Sequence, residues 1–177
     1  MELHTTVGPA RTTISAIAEK AGVQRQTYYR HFPDELSLFW ACSSLARSEN
    51  PPPDPEIWEE IADPQERLRV ALAEVYAYNR RRERLFSKVL RDAEGESEVN
   101  AAVREVLKPI VARWQRMREI LAVGWEVSEE QPRALVVSAI GLALDFRTWR
   151  TMVREQGLSD EQAVEVMTRM VRCVAHG

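Results

Sequence analysis

With 177 residues, a net charge of −3 and a pI near 5.7, the chain is long enough for one or two compact cores and too acidic to coat nucleic acid non-specifically. No apolar run approaches the roughly 20 residues that cross a bilayer, and the N-terminus has no signal-peptide pattern, so we expect a cytoplasmic protein with no membrane partner. The charge is unevenly spread, because residues 1–47 hold five basic and four acidic residues whereas the remainder holds 19 basic and 23 acidic ones.

The segment from Ile14 to Pro33 predicts two short helices separated by a glycine. Gly22 stands where a helix ends by adopting a left-handed conformation. The second helix starts near Gln24 and carries polar and aromatic side chains in unbroken succession, beginning with Arg25. In a helix-turn-helix protein the second helix enters the major groove, where arginine can bond to guanine and glutamine to adenine. The pattern therefore predicts a DNA-binding motif over about residues 14–33, and an ordinary polar surface helix is the alternative.

The block TTISAIAEKAGVQRQTYYRHFPDELSLFWA resembles the DNA-binding domain of the tetracycline-repressor (TetR) family of bacterial transcription regulators, most specifically in the stretch TYYRHFP. The resemblance is strong over residues 11 to about 45. It implies base contacts from the start of the second helix, phosphate contacts from alternate positions after it, and one contact from the preceding helix. The implied DNA-contacting residues are Ser15, Gln24, Arg25, Gln26, Thr27, Tyr29 and His31, with Tyr28 and Phe32 in the core.

Two features depart from the family pattern. Glu35 stands where the family usually has a phosphate-holding lysine, and DNA would repel its charge. The family's first helix is reduced to MELHTTVG, in which Leu3 and Val7 remain to cover the underside of the motif. We expect either that the true start lies upstream of Met1 or that this DNA-binding domain is less stable than those of its relatives.

A third predicted helix of the N-terminal region runs from Glu35, capped by Asp34, to about Glu49. The proline-rich run at 50–55 then breaks the chain as a stiff linker, because proline lacks the amide donor that a helix needs. The sequence thus predicts an all-α chain, with a helix-turn-helix domain over residues 1–49 and an effector-binding and dimerisation bundle over residues 56–177.

Two long helices are predicted next. Asp63 before a proline opens a helix that reaches about Ala93, and Asn79 falls on its apolar seam where a leucine would be expected. The next helix covers about residues 97–123, and Pro109 should kink it.

The last two helices are predicted from paired capping residues, Ser128 with Gln131 for a helix to about residue 156 and Ser159 with Gln162 for the final one. The segment 134–146 is apolar on almost every side, so it must be covered on both flanks. We predict that these helices pair with those of a second chain in a four-helix homodimer interface, as the resemblance also implies. The expected interface residues are Val136, Ala139, Ile140, Ala143, Met167, Met170, Val171 and Val174.

Aromatic and neighbouring side chains of the bundle predict a cavity for an apolar or aromatic effector, and plain core is the alternative for each of them. The candidates are Tyr76, Asn79, Phe86, Trp114, Met117, Phe146 and Trp149. Asp145 is expected to meet a cationic effector or an arginine across the dimer, and the run Arg80–Arg82 is expected to form a solvated face.

Enzymatic and metal-binding patterns are missing from the sequence. The three histidines are scattered, and there is no HExxH, CxxC pair, glycine-rich phosphate loop or GxSxG motif. Cys42 and Cys173 lie far apart among apolar neighbours and are expected to be buried free thiols. We therefore expect no catalytic residue, metal or cofactor.

These features together predict a dimeric transcriptional regulator, most simply a ligand-responsive repressor of the TetR type. Its two recognition helices would occupy successive major grooves of a palindromic operator duplex, and a small-molecule effector would change their spacing. The alternative is a dimeric helical ligand- or partner-binding protein whose shortened N-terminal domain no longer binds DNA.

Overall fold

The computed structural model describes residues 2–127 and 133–176. Over these residues the chain is all-α, as predicted, and contains no strand. It divides into two compact units, the first formed by residues 1–51 with 82–110 and the second by residues 52–81 with 111–177. The N-terminal unit therefore includes a segment well beyond the predicted domain 1–49. None of the described helices combines the length and apolarity of a membrane span.

The first unit begins with short helices that end on local signals. Its elements are α1 (Glu2–Thr6), a 3₁₀ turn (Pro9–Arg11), α2 (Ile14–Ala21), α3 (Arg25–His31) and α4 (Glu35–Glu49). The hydroxyl of Thr13 caps α2 by accepting from the amide of Ala16 at 3.2 Å, and the carboxylate of Asp34 caps α4 by accepting from the amide of Ser37 at 2.7 Å. The predicted helix 35–49 is confirmed.

Two long helices follow, α5 (Pro64–Ala93) and α6 (Glu98–Leu121). The amide of Glu66 donates to the carboxylate of Asp63 at 2.6 Å, which confirms the predicted start of α5. Helix α6 continues through Pro109 as one element. The second half of α5 and the first half of α6 belong to the first unit, and their other halves belong to the second.

The core of the first unit joins the N-terminal helices to these long helices. Tyr28, Leu38 and Phe39 form one buried cluster with Val103 and Val106 of α6. Leu3 is half-buried, whereas Val7 is exposed, which corrects the expectation for Val7, and the buried residue of α1 is His4. Its ring packs edge-on against Phe39, with 5.7 Å between the ring centroids.

The second unit contains α7 (Arg133–Leu144), α8 (Phe146–Arg150), a π-helical turn (Thr151–Glu155) and α9 (Asp160–His176). The predicted single helix to residue 156 is wrong, because the side chain of Asp145 accepts from the amides of Arg147 at 2.7 Å and Thr148 at 3.1 Å and so starts a new helix. The predicted cap of Ser128 with Gln131 lies outside the described residues. Ser159 and Gln162 exchange backbone and side-chain hydrogen bonds, as predicted.

Hydrogen bonds from buried side chains to backbone carbonyls link the segments of the second unit. The buried guanidinium of Arg67 donates to four carbonyls, those of Ile61, Ala62, Ile120 and Val123. The hydroxyl of Tyr76 donates to the carbonyl of Ala143 at 2.9 Å. These bonds satisfy helix ends and buried polar atoms that the apolar packing cannot.

Both cysteines are free thiols, as predicted, but only Cys42 is partly buried. Cys173 is exposed, which corrects the expectation of two buried thiols, because its position on α9 turns away from the helix face that packs inward.

Candidate nucleic-acid interface

The turn between α2 and α3 has the geometry of a helix-turn-helix. Gly22 adopts the left-handed conformation, with φ of 65° and ψ of 28°, and its amide bonds to the carbonyls that end α2. A β-carbon at Gly22 would meet nothing within 4 Å, so the glycine is favoured by its backbone angle and not by crowding. This feature of the motif was predicted from the sequence and is confirmed.

One face of helix α3 packs against the core of the first unit, and the opposite face is exposed to solvent. Tyr28 is buried in the core of the first unit and packs on Phe32 with 5.6 Å between ring centroids. Burial, together with the nearby carboxylate of Glu35, raises the pKa of Tyr28, so the phenol stays neutral. Arg25 and Tyr29 stand four residues apart and are both exposed, so they share one outward face of the helix.

The remaining predicted contact residues are also accessible. Gln24 precedes α3 as its N-cap residue, and its side chain makes no capping bond, which leaves the amide available. The exposed members of the predicted set are Ser15, Gln24, Arg25, Gln26, Tyr29 and His31, and Thr27 is half-buried. The structure thus places Arg25, Gln26, Thr27, Tyr29 and His31 on α3, with Gln24 at its N-cap and Ser15 on the helix before it.

Glu35 lies exposed in the first turn of α4, directly after this motif. A carboxylate here interacts favourably with the helix N-terminus but opposes a nearby phosphate. The first unit therefore carries one side chain that works against DNA binding.

A cavity of about 530 Å³, including its opening to solvent, lies within the first unit. Its walls come from α1, α4, α5 and α6, and they are mainly apolar. Three polar side chains, His4, Ser43 and Arg82, also line it. Burial lowers the pKa of His4 to about 4, so this imidazole is neutral at physiological pH.

The predicted effector residues are divided between the two units. Phe86 lines this cavity in the first unit. Tyr76, Asn79, Trp114, Met117, Phe146 and Trp149 belong to the second unit and do not line it. Of these six, all but the half-buried Trp114 are buried. An effector pocket built from them stays a prediction.

The predicted dimer residues also separate into two groups. Val136, Ile140, Ala143, Met167 and Val171 are buried in the protomer itself, because α7 packs against α9. These five positions are corrected to protomer core. Ala139 and Val174 are half-buried and Met170 is exposed, so these three remain accessible to a second chain.

The run of three arginines was expected to form a solvated face, and only Arg81 matches that description without qualification. Arg82 is buried and donates through Nη1 to the carbonyl of Ala46 at 2.6 Å. Arg80 donates through Nη2 to the carboxylate of Asp160 at 2.8 Å and stacks over Trp149. Charge alone could not reveal these roles, because the partners lie 36 and 80 positions away in the sequence.

The N-terminal region matches a known protein family. Residues 1–42 match the family model of bacterial regulatory proteins, tetR family. No curated protein matches the chain. A structure named as a fatty acid metabolism regulator of Clostridium perfringens is similar at a TM-score of 0.64 and 17% identity, covering 98% of this chain and 94% of that one. The fatty acid degradation regulator FadR of Bacillus halodurans is similar at 0.61 and 19% identity, covering 97% and 92%.

Proposed function

Because its first 42 residues match the family model of bacterial regulatory proteins, tetR family, we propose that the chain is a homodimeric, ligand-responsive repressor that binds a palindromic operator. The observation that carries the proposal is the orientation of α3. Its buried Tyr28 fixes the helix in the core while Arg25, Gln26 and Tyr29 remain outside. Arginine and glutamine side chains so placed can form paired hydrogen bonds with guanine and adenine in the major groove.

The proposed dimer uses an exposed apolar surface on α7 and α9. Leu135 and Leu142 on α7 and Val166 and Met170 on α9 are each between 39% and 60% exposed. Apolar side chains that two adjacent helices leave in water are stabilised when a second copy covers them. A two-fold dimer would also present two copies of α3, which a palindromic duplex requires.

The proposed effector is an aliphatic acyl compound. Both similar structures are named as regulators of fatty acid metabolism or degradation, and the cavity of the first unit has mainly apolar walls. An effector that binds one conformation better than another would shift the protein between states of high and low operator affinity.

Operator binding is tested by gel shift and fluorescence anisotropy with duplexes from the DNA that flanks the gene. We expect Arg25→Ala to weaken binding to the best duplex about 10- to 100-fold, because a bidentate arginine–guanine pair contributes about 1–3 kcal/mol. Arg84→Ala, which removes an exposed arginine from α5, is the matched control and should leave affinity unchanged. Equal affinities of Arg25→Ala and the parent protein would overturn the proposed base contact.

The dimer is tested by light scattering after size-exclusion chromatography. Leu142→Asp places a charge in the exposed apolar surface and should convert the dimer to a monomer without loss of helix content. Val111→Asp changes an apolar residue on α6 that is 50% exposed and should leave the dimer intact. A dimer that persists in Leu142→Asp would place the interface elsewhere.

The alternative of a helical ligand-binding protein that has lost DNA binding is favoured by one observation, the exposed carboxylate of Glu35 beside α3. The same gel-shift experiment decides between the two functions. If the folded, dimeric protein forms no specific complex with any flanking duplex, the result supports this alternative.

A further inference from the structure

The exposed face of α3, the recognition helix, is centred on Gln26 and Arg30. We propose that Arg30 is a specificity-determining residue, whose guanidinium donates hydrogen bonds to a guanine in each half-site of the operator. Arg30 is not among the residues whose DNA contacts the sequence resemblance implies. The inference rests on the proposed function, since it assigns a base contact within the operator complex.

The buried side of α3 fixes the direction of its exposed side. Successive residues of an α-helix lie about 100° apart around the axis, because about 3.6 residues complete a turn. Tyr28 is 5% exposed and marks the direction of the core. The opposite direction falls midway between Gln26 and Arg30, about 20° from each. These two residues stand four positions apart and are both exposed, so they form one ridge at the centre of the exposed face.

The residues on either side of this ridge carry the implied phosphate contacts. Thr27 and Tyr29 lie about 80° from the centre on opposite sides, and His31 lies about 120° from it on the side of Thr27. A helix in the major groove has a phosphate backbone on each side and the base edges between them. A helix that turns these flanks towards the two backbones therefore points the centre of its exposed face at the base edges.

Arg30 and Arg25 lie at opposite ends of α3. Arg25 is the first residue of the helix, and the N-terminal residues of a recognition helix contact base edges. Arg30 follows five positions later, about 7.5 Å along the helix axis, which exceeds the roughly 3.4 Å between neighbouring bases of a strand. The two arginines therefore address different base pairs, and the contact from Arg30 adds sequence information that Arg25 does not provide.

The guanidinium of Arg30 is not engaged within the protein. Over residues 2–127 and 133–176, it forms no hydrogen bond, ion pair or ring contact. By contrast, Lys20 on α2 is paired with Glu2 at 2.7 Å, and Nη1 of Arg47 donates to the hydroxyl of Ser43 at 2.8 Å. The N–H donors of Arg30 therefore remain for a ligand, and their forked arrangement matches O6 and N7 of guanine.

The experiment is selection of bound sequences from a library of random duplexes by the full chain, followed by affinity measurements on the selected duplex. We expect the parent protein to select a palindrome that contains guanine in each half-site. Arg30→Ala should lose the preference for one guanine per half-site and bind the selected duplex about 10- to 100-fold more weakly, as the loss of a bidentate arginine–guanine pair predicts. Arg84→Ala, at an exposed arginine of α5, is the control and should keep every preference.

Arg30→Gln provides a second measurement at the same position. Glutamine forms paired hydrogen bonds with adenine, so this variant should select adenine in place of that guanine and leave the other positions unchanged. Circular dichroism of each variant should match that of the parent protein, because the substituted side chain is exposed.

Base preferences that stay those of the parent protein in either Arg30 variant would overturn the inference. This holds even if affinity falls equally for all duplexes, because a phosphate contact weakens binding without regard to sequence. A selected half-site without guanine would overturn it as well. Selection of a palindrome by the parent protein supports the proposed function whichever result the variants give, whereas a parent protein that selects no sequence rejects that function.

Discussion

The carboxylate of Asp92 near the end of α5 accepts a hydrogen bond from the backbone amide of Ala10, 82 positions earlier in the chain, at 2.9 Å. Asp92 is buried, and its other oxygen accepts from the guanidinium of Arg91 at 2.8 Å. Arg91 in turn donates to the carbonyl of Val7 at 2.9 Å. Two neighbouring residues of α5 thus bind the start and the middle of the segment that connects α1 to α2.

Removal of the Asp92 carboxylate should destabilise the first unit. We expect Asp92→Ala to lower the free energy of unfolding by about 1–3 kcal/mol, because it leaves the half-buried amide of Ala10 without an acceptor. Asp92→Asn keeps an acceptor oxygen but loses the charge beside Arg91, so its loss should be smaller, about 1 kcal/mol. Urea unfolding followed by circular dichroism measures both. If the two variants lose the same free energy of unfolding, the hydrogen bond from the amide of Ala10 contributes nothing beyond the charge of Asp92.

His4 should make stability depend on pH. Burial lowers the pKa of His4 from 6.5 to about 4, so between these values the unfolded chain binds this proton more readily than the folded chain. The stability associated with a neutral His4 is therefore fully present above about pH 6.5, falls as the pH decreases through the window, and levels off below about pH 4. The total change is at most about 3 kcal/mol.

The measurement is the unfolding free energy of the parent protein and of His4→Gln between pH 4 and 8. Because glutamine does not titrate in this range, the difference between the two proteins isolates the contribution of His4. His176→Gln removes an exposed histidine at the end of α9 and should follow the parent curve. Parallel curves for the parent and His4→Gln would show that the imidazole is not desolvated in the folded state.

The helix-turn-helix could be predicted from the sequence because its signals are local. Gly22 ends one helix by its own backbone preference, and the stretch TYYRHFP, whose resemblance to the TetR family implies a core position for Tyr28, follows within a few residues. The same holds for Ser159 with Gln162, which exchange their bonds over three residues. Patterns that span only a few residues are properties of a peptide segment, so they can be recognised without knowledge of the tertiary fold.

The errors at Arg82, at Asp145 and at the dimer positions concern partners that are distant in sequence, or competing interactions that the residue pattern does not resolve. The run Arg80–Arg82 predicts a solvated face, but the acceptor of Arg82, the carbonyl of Ala46, belongs to another helix. The apolar run before Asp145 predicted one helix, but the carboxylate satisfies two amides and begins a second. The sequence predicts dimer contacts at Val136 and Ile140, which are buried in the protomer, because an all-apolar helix does not reveal which of its faces packs within the protomer.

A charge reversal at Glu35 should strengthen DNA binding. Glu35→Lys replaces a carboxylate that opposes phosphate with an ammonium group at the same exposed position beside α3, so we expect tighter operator binding and a salt dependence steeper by about one phosphate contact. The helix N-terminus disfavours a cation, so stability should fall by about 0.3–1 kcal/mol. Glu49→Lys makes the same charge change at the other end of α4, about 20 Å away, and is the control. Identical gains in both variants would indicate a general charge effect and not a contact at position 35.

The buried side chain of Asn79 should lower the stability of the protein, and the substitution Asn79→Leu should remove this loss. Its side chain is 1% exposed on the apolar seam of α5, and Nδ2 has no hydrogen-bond partner among the described residues. An unsatisfied buried amide destabilises a protein by about 1–3 kcal/mol, so Asn79→Leu should raise the free energy of unfolding by a comparable amount. Thr168→Val, at a second buried residue whose hydroxyl lacks a partner, is the matched comparison and should also stabilise. Thermal and urea unfolding test the gain. A destabilised Asn79→Leu that also loses effector binding, beside a stabilised Thr168→Val, would show that the amide serves a ligand and would favour the predicted pocket of the second unit.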